Sequence, residues 1–201
     1  MNKRQENALM TKQNLIDTTL RLIEQKGFDA LNVEDITSAA GCAKGTFYVY
    51  FKHKEDVVFE ICRPLFGRIK TQMTKMNDKN IIDRLQFYFV QFMTEVERYG
   101  INLCREWLKG VLDPAKAPEN MDNAKWQFDV NMLHDILCQA VQNKELAENT
   151  PVELLTHLII SELYGMMTCW CMSDGEFEPK NWIDQFFAVQ MPLILEKYLI
   201  K

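Results

Sequence analysis

Residues 32–54 read NVEDITSAAGCAKGTFYVYFKHK, and their pattern decides the fold. Asn32 is a helix N-cap residue, able to accept a hydrogen bond from an otherwise orphan backbone N–H. Glu34 and Asp35 follow in the first turn, where the helix dipole favours negative charge. Val33, Ile36, Ala39 and Ala40 recur at helical spacing and make a small apolar face. Gly41 can adopt the left-handed conformation that closes a helix. A second helix is expected from about Ala43 to Phe51, with Phe47 and Phe51 four apart on its buried side. Two short helices joined at a glycine describe a helix-turn-helix, whose second helix enters the major groove of DNA.

On these residues the chain resembles a known family. Ile36, the Ala39-Ala40-Gly41 turn and the run from Lys44 through Tyr48 and Phe51 to Glu55 look like the signature of the tetracycline-repressor (TetR/AcrR) family. Gly27-Phe28 upstream is similar to the same pattern, and the likeness covers roughly Thr11 to Val58. The resemblance implies an all-α protein of about nine helices. It also implies a dimeric transcription regulator that responds to a small ligand. Two positions depart from the family pattern. Ala43 stands where a Ser or Thr cap is usual, which forgoes a capping bond of roughly 1 kcal/mol. Cys42 replaces the usual Val, a substitution a small buried thiol can imitate.

Composition agrees with a globular protein that touches nucleic acid at one end. The 201 residues are 47% apolar, with a net charge of −5. Residues 1–54 hold eight Lys/Arg against six Asp/Glu, so this head is +2 and the remainder −7. A mildly basic head on an acidic body fits a chain that meets DNA through its head. The six cysteines have neither the spacing of a disulfide scaffold nor that of a zinc site. Free thiols and the lack of an apolar leader point to the cytoplasm. The stretch 154–172 is interrupted by Thr156, His157, Ser161, Glu162 and Thr168, too polar for a membrane span. It reads as a buried interface helix.

Long segments of helical period fill the rest of the chain. Helices are expected at about 7–25, 54–76, 81–99, 102–112, 121–143, 151–172 and 179–199. Gly100 should end one of them, and a turn is expected at 113–118. Pro64 should kink or break the fourth helix and Pro192 should bend the last. Thr150 is expected to cap the helix that Pro151 opens. The expected division is a DNA-binding domain over 1–54 and a helical effector-binding and dimerisation domain over 55–201.

Three constellations are candidates for function. The DNA-facing candidates are Lys44, Gly45, Thr46, Tyr48, Val49, Tyr50, His53 and Lys54. They supply phosphate donors, a close backbone approach at Gly45, and a methyl or hydroxyl for base edges. The second constellation is aromatic and sulfur-rich: Phe89, Phe92, Met93, Trp107, Trp126, Met132, Tyr164, Met167 and Trp170. These lie on helices that the family wraps around an effector cavity, and their chemistry suits a hydrophobic or aromatic small molecule. The third is the homodimer surface. Leu158, Glu162, Gly165, Met166 and Cys169 on one helix, with Phe186, Val189, Gln190, Leu193 and Lys197 on the next, could form an isologous four-helix contact.

Catalysis is not expected. There is no nucleophile–base motif, metal cluster or phosphate-cradling glycine loop, and His53, His134 and His157 are scattered. No cofactor is called for. His134 and Cys138 share a helix face but lack a third ligand. Cys169 and Cys171 point to different sides of one helix, so a bond between them is geometrically poor. The function expected is a repressor that binds a near-palindromic operator as a dimer and is released by a small effector. The alternative is a DNA-binding regulator without a small-molecule effector.

Overall fold

The structure is a computed structural model that describes residues 3–73, 75–76, 78–112 and 124–200. Its helices are α1 (Lys3–Lys26), α2 (Val33–Ala39), α3 (Lys44–Tyr50), α4 (Asp56–Met73), α5 (Ile81–Leu112), α6 (Ala124–Gln142), α7 (Val152–Met172) and α8 (Pro179–Leu195). Gly100, at φ 81° and ψ 165°, divides α5 into two arms. Only glycine occupies that backbone region readily. Counting the arms separately gives nine helices among the described residues. The chain is all-α. The turn expected at 113–118 lies outside the described residues.

Packing divides the chain into two units, one of residues 1–65 and 99–121, the other of 66–98 and 122–201. In the first unit, Leu15 and Ile16 of α1, Ile36 of α2, Phe47 of α3 and Val57 of α4 are buried together with Phe28 and Leu31 of the α1–α2 connection. The apolar positions recur every three or four residues, so each short helix turns one face inward. Asn14 Nδ2 on α1 donates to the Ala40 carbonyl at 2.9 Å and ties α1 to the end of α2.

In the second unit α6 packs along α7. Its core joins Leu85, Tyr88 and Phe89 of α5 to Leu133 and Leu137 of α6, Ile159 and Leu163 of α7, and Phe187 and Met191 of α8. Phe89 stacks on Phe186, with ring centroids 5.8 Å apart, and meets Phe187 edge-on at 5.1 Å. After α8 the chain returns to the α6–α7 connection. The Ala147 amide donates to the Tyr198 carbonyl at 2.8 Å, the Ile200 amide to the Glu145 carbonyl at 3.0 Å, and Leu146 bridges Leu199.

Several boundaries differ from the sequence reading for physical reasons. The helical run of α4 continues through residue 64 without a break. Pro192 lies inside α8, which stops at Leu195 rather than 199 because the residues beyond it pair with Leu146 and its neighbours. Thr150 does not cap α7: its hydroxyl donates back to the Ala147 carbonyl, and Pro151 occupies the cap without a side-chain bond. Pro179 does open α8 at its first turn.

A candidate nucleic-acid interface and a candidate effector site

The helix-turn-helix is built as its residue types dictate. Asn32 Oδ1 accepts from the Asp35 amide at 2.8 Å, and Asp35 Oδ2 accepts from the Asn32 amide at 3.1 Å. This reciprocal capping box satisfies two orphan donors at the start of α2. At the other end Gly41 takes φ 69°. The Cys42 amide donates to Thr37 O at 2.9 Å, and the Gly41 amide to Ser38 O at 3.2 Å. Those two bonds are the Schellman closure, and they set the turn between the helices. Helix α3 begins after Ala43, which gives no side-chain cap.

Phe47 is fully buried and packs its ring against Phe51 at 5.2 Å and edge-on to Tyr48 at 5.6 Å. That anchor turns the opposite side of α3 outward. Lys44, Gly45, Tyr48 and Val49 are exposed, Val49 to 76%, while Thr46 and Tyr50 are half-buried. A Cβ built on Gly45 would touch nothing in the chain, so neither φ nor internal packing requires a glycine there. Lys44 is ion-paired with Glu34 of α2. The pairing holds the Glu34 carboxyl below the usual carboxylate range and pushes the Lys44 ammonium up.

The two candidates after α3 have different surroundings. His53 is exposed in the turn before α4, and Asp56 Oδ2 accepts from the Lys52 and His53 amides at 2.8 and 2.9 Å. Lys54 folds inward. Its Nζ donates to the carbonyls of Phe28 at 3.1 Å and Leu31 at 2.8 Å, and lies 4.2 Å from the centroid of the Phe28 ring. The ammonium thus ties the start of α4 to the α1–α2 connection.

In the second unit, three effector candidates meet directly. Tyr164 of α7 is 5.9 Å from Phe92 of α5 and 5.4 Å from Trp126 of α6, measured between ring centroids. Trp126 and Tyr164 are half-buried; Phe89, Phe92, Met93, Met132, Met167 and Trp170 are buried. Trp107 is buried and belongs to the first unit. Beneath the cluster lies a residue that sequence reasoning missed. Asp129 is fully buried, and its two carboxylate oxygens accept from the hydroxyls of Tyr88 at 2.9 Å and Tyr164 at 2.7 Å. Burial pushes both phenols above their ordinary value. The signal was in the periodicity: Asp129 sits three and four positions before Met132 and Leu133, on the face of α6 that turns inward.

The candidate dimer residues divide by exposure. Leu158, Gly165, Cys169, Val189, Gln190 and Leu193 are exposed, whereas Met166 and Phe186 are buried. Leu154, Met172 and Trp182 extend the exposed apolar surface of α7 and α8. An open cleft of about 630 Å³ runs beside it, lined among others by Glu162, Trp182, Val189 and Gln190. Cys138 Sγ lies 3.7 Å from His134 Nδ1, and no group of three metal-binding side chains is found among the described residues. Among the same residues no helix is long and apolar enough to cross a membrane.

Comparison with known proteins agrees with this geometry. Residues 15–61 match the profile of the bacterial regulatory proteins of the tetR family. The chain is 37% identical to the HTH-type transcriptional regulator AcrR of Shigella flexneri, over 98% of this chain and 94% of that protein. Among solved structures, the transcriptional regulator FadR from Bacillus subtilis in complex with stearoyl-CoA aligns at a TM-score of 0.67 and 21% identity, over 91% of this chain and 97% of the other. A complex of SmeT with triclosan aligns at 0.63 and 16%, over 96% and 93%; SmeT is the repressor of a Stenotrophomonas maltophilia multidrug efflux pump. At those identities the two structures speak for the fold alone. The chain belongs to the TetR/AcrR family of helix-turn-helix transcriptional regulators.

Proposed function

We propose that this protein is a repressor that binds a near-palindromic operator as a homodimer in the cytoplasm and is released by a small, largely hydrophobic or aromatic effector. The observation that carries the DNA-binding part is the outward face of α3. Buried Phe47 fixes the helix, while Lys44, Gly45, Tyr48 and Val49 stand exposed around a glycine that the fold itself does not need. A bare backbone, a cation, a phenolic hydroxyl and an apolar tip are the groups that approach phosphates and base edges in a major groove. In a dimer the two copies of α3 would read half-sites about one helical turn apart.

The effector part rests on the Phe92–Trp126–Tyr164 cluster and on the ligands carried by two structural relatives, stearoyl-CoA and triclosan. Release would follow from population shift, with the effector binding the DNA-free form more tightly. The dimer part rests on the exposed apolar side chains of α7 and α8, which need a partner surface. A second reading, a regulator without a small-molecule effector, draws support from how closed the site is: seven of the nine candidates are buried.

Footprinting across the DNA upstream of the protein's own gene tests the reading. Protection of a two-fold related site at moderate salt is expected, with weaker protection for Lys44→Ala and Tyr48→Ala. Affinity no higher than for random duplex would overturn it. Thermal-shift screening with acyl and aromatic compounds then separates the effector reading from the second one.

A further inference from the structure

We propose that Glu34 is an intramolecular stand-in for a DNA phosphate, holding Lys44 in the free protein and giving it up to a phosphate oxygen when α3 docks. The inference rests on α3 being the DNA-facing helix and concerns how its leading cation is controlled.

The two helices of the motif each contribute one partner. Glu34 lies in the first turn of α2, Lys44 opens α3, and their side chains are joined across the turn. Glu34 suits the positive end of α2 by its charge, but the cap does not need it. Capping of α2 is complete with Asn32 and Asp35, and Lys26 pairs with Asp35 at 2.9 Å. Other lysines of the head are committed elsewhere: Lys12 to Glu60 at 3.0 Å, and Lys54 to the Phe28 and Leu31 carbonyls. Lys44 alone of these stands on α3.

The pair is also built to exchange. The two side chains keep 52% and 59% of their surface in solvent, where ion pairs are loosely held. Docking would swap one ammonium–anion contact for another, so Lys44 adds little to sequence-independent affinity. The cation released from the phosphate is matched by one taken up by Glu34. Lys44 is then nearly silent in the salt dependence, whereas an ordinary phosphate contact adds about 0.9 to the slope of log K against log salt. Glu34 therefore acts as a brake on binding to arbitrary DNA. It is overcome where the operator seats α3 closely enough for Lys44 to reach a phosphate oxygen while the other contacts of the helix form.

A double-mutant cycle tests this, using wild type, Glu34→Gln, Lys44→Ala and the double variant. Each full-length protein is titrated into a fluorescent duplex of random sequence over a salt series. Glutamine keeps the shape of Glu34 and leaves the Asn32–Asp35 cap intact; circular-dichroism melts check that every variant is folded. The expected result is several-fold tighter binding by Glu34→Gln, with a slope steeper by about 0.9, and neither change when Lys44 is already alanine. An equal gain in both backgrounds would mean that Glu34 repels DNA directly and would overturn the proposal. So would no gain in either background while Lys44→Ala still weakens wild type, an outcome that leaves the DNA-facing role of α3 standing. If Lys44→Ala changes binding in neither background, the reading of α3 fails and takes the proposal with it.

Discussion

Lys54 shows how one side chain can exchange a surface role for an internal one. Its position after the reading helix suggests a phosphate grip, yet its ammonium is spent on two backbone carbonyls and the face of Phe28. Hydrogen bonds from charged donors are worth about 1.5–3 kcal/mol when their partners would otherwise be buried. Lys54→Met is expected to lower stability by about 1–2 kcal/mol in urea unfolding; an unchanged midpoint would place the ammonium in solvent instead. Asp129 is the buried counterpart, an acceptor for two tyrosine hydroxyls. Unfolded phenols ionise from about pH 10, whereas burial keeps Tyr88 and Tyr164 protonated in the folded chain to higher pH. The unfolded state then binds fewer protons, so stability falls as pH rises above about 10, by up to about 1.4 kcal/mol per pH unit for each tyrosine. A Tyr88→Phe/Tyr164→Phe variant should be less stable near neutrality but show a shallower decline between about pH 9 and pH 11 in urea midpoints. A decline as steep as that of wild type would assign it to other groups.

Helix α3 has seven residues and starts at Ala43 without a side-chain cap. Helices so short depend on packing, and α3 depends on Phe47. Ala43→Ser should add roughly 1 kcal/mol to chain stability by supplying the missing acceptor; a melting temperature that does not rise would show the α3 amides already satisfied. The elements of the head were legible because their signals are local. The Asn32 cap, the Gly41 closure and the Phe47–Phe51 spacing each act within a few residues. Element ends in the body were read less well where they depend on distant chain. Nothing near Glu196 announces that α8 must stop; the stop comes from Leu146, paired with Leu199 across the α6–α7 connection. Likewise Thr150 looks like a cap in isolation and is drawn to Ala147 instead. The partners of Lys44 and Asp129 were missed for the same reason, since they come from other helices.

For the assembled protein, the exposed apolar side chains of α7 and α8 are the feature that a lone chain leaves unexplained. Leu158 is 48% exposed and Leu193 68%, so replacing them should not disturb the core. On the proposed homodimer, wild type is expected to sediment as a dimer and Leu158→Glu/Leu193→Glu as a monomer, which should lose most of its operator affinity because one half-site contact is forfeited. A variant that remains dimeric would move the interface elsewhere. The family and helical class were readable from one short stretch. The geometry of the aromatic cluster was not, because aromatic and sulfur side chains at helical spacing look the same whether they line a cavity or fill a core.

The return of the chain to Glu145 and Ala147 after α8 has a topological consequence. Everything between Glu145 and Ile200, including α7 and α8, lies within a loop closed by backbone hydrogen bonds, a cross-link made without covalent chemistry. Its closure entropy grows only with the logarithm of loop length, so a long segment is tied at modest cost. Opening that loop must first break the pairing at Leu146 and Leu199, so residues 198–200 act as a latch on the two helices that present the apolar surface.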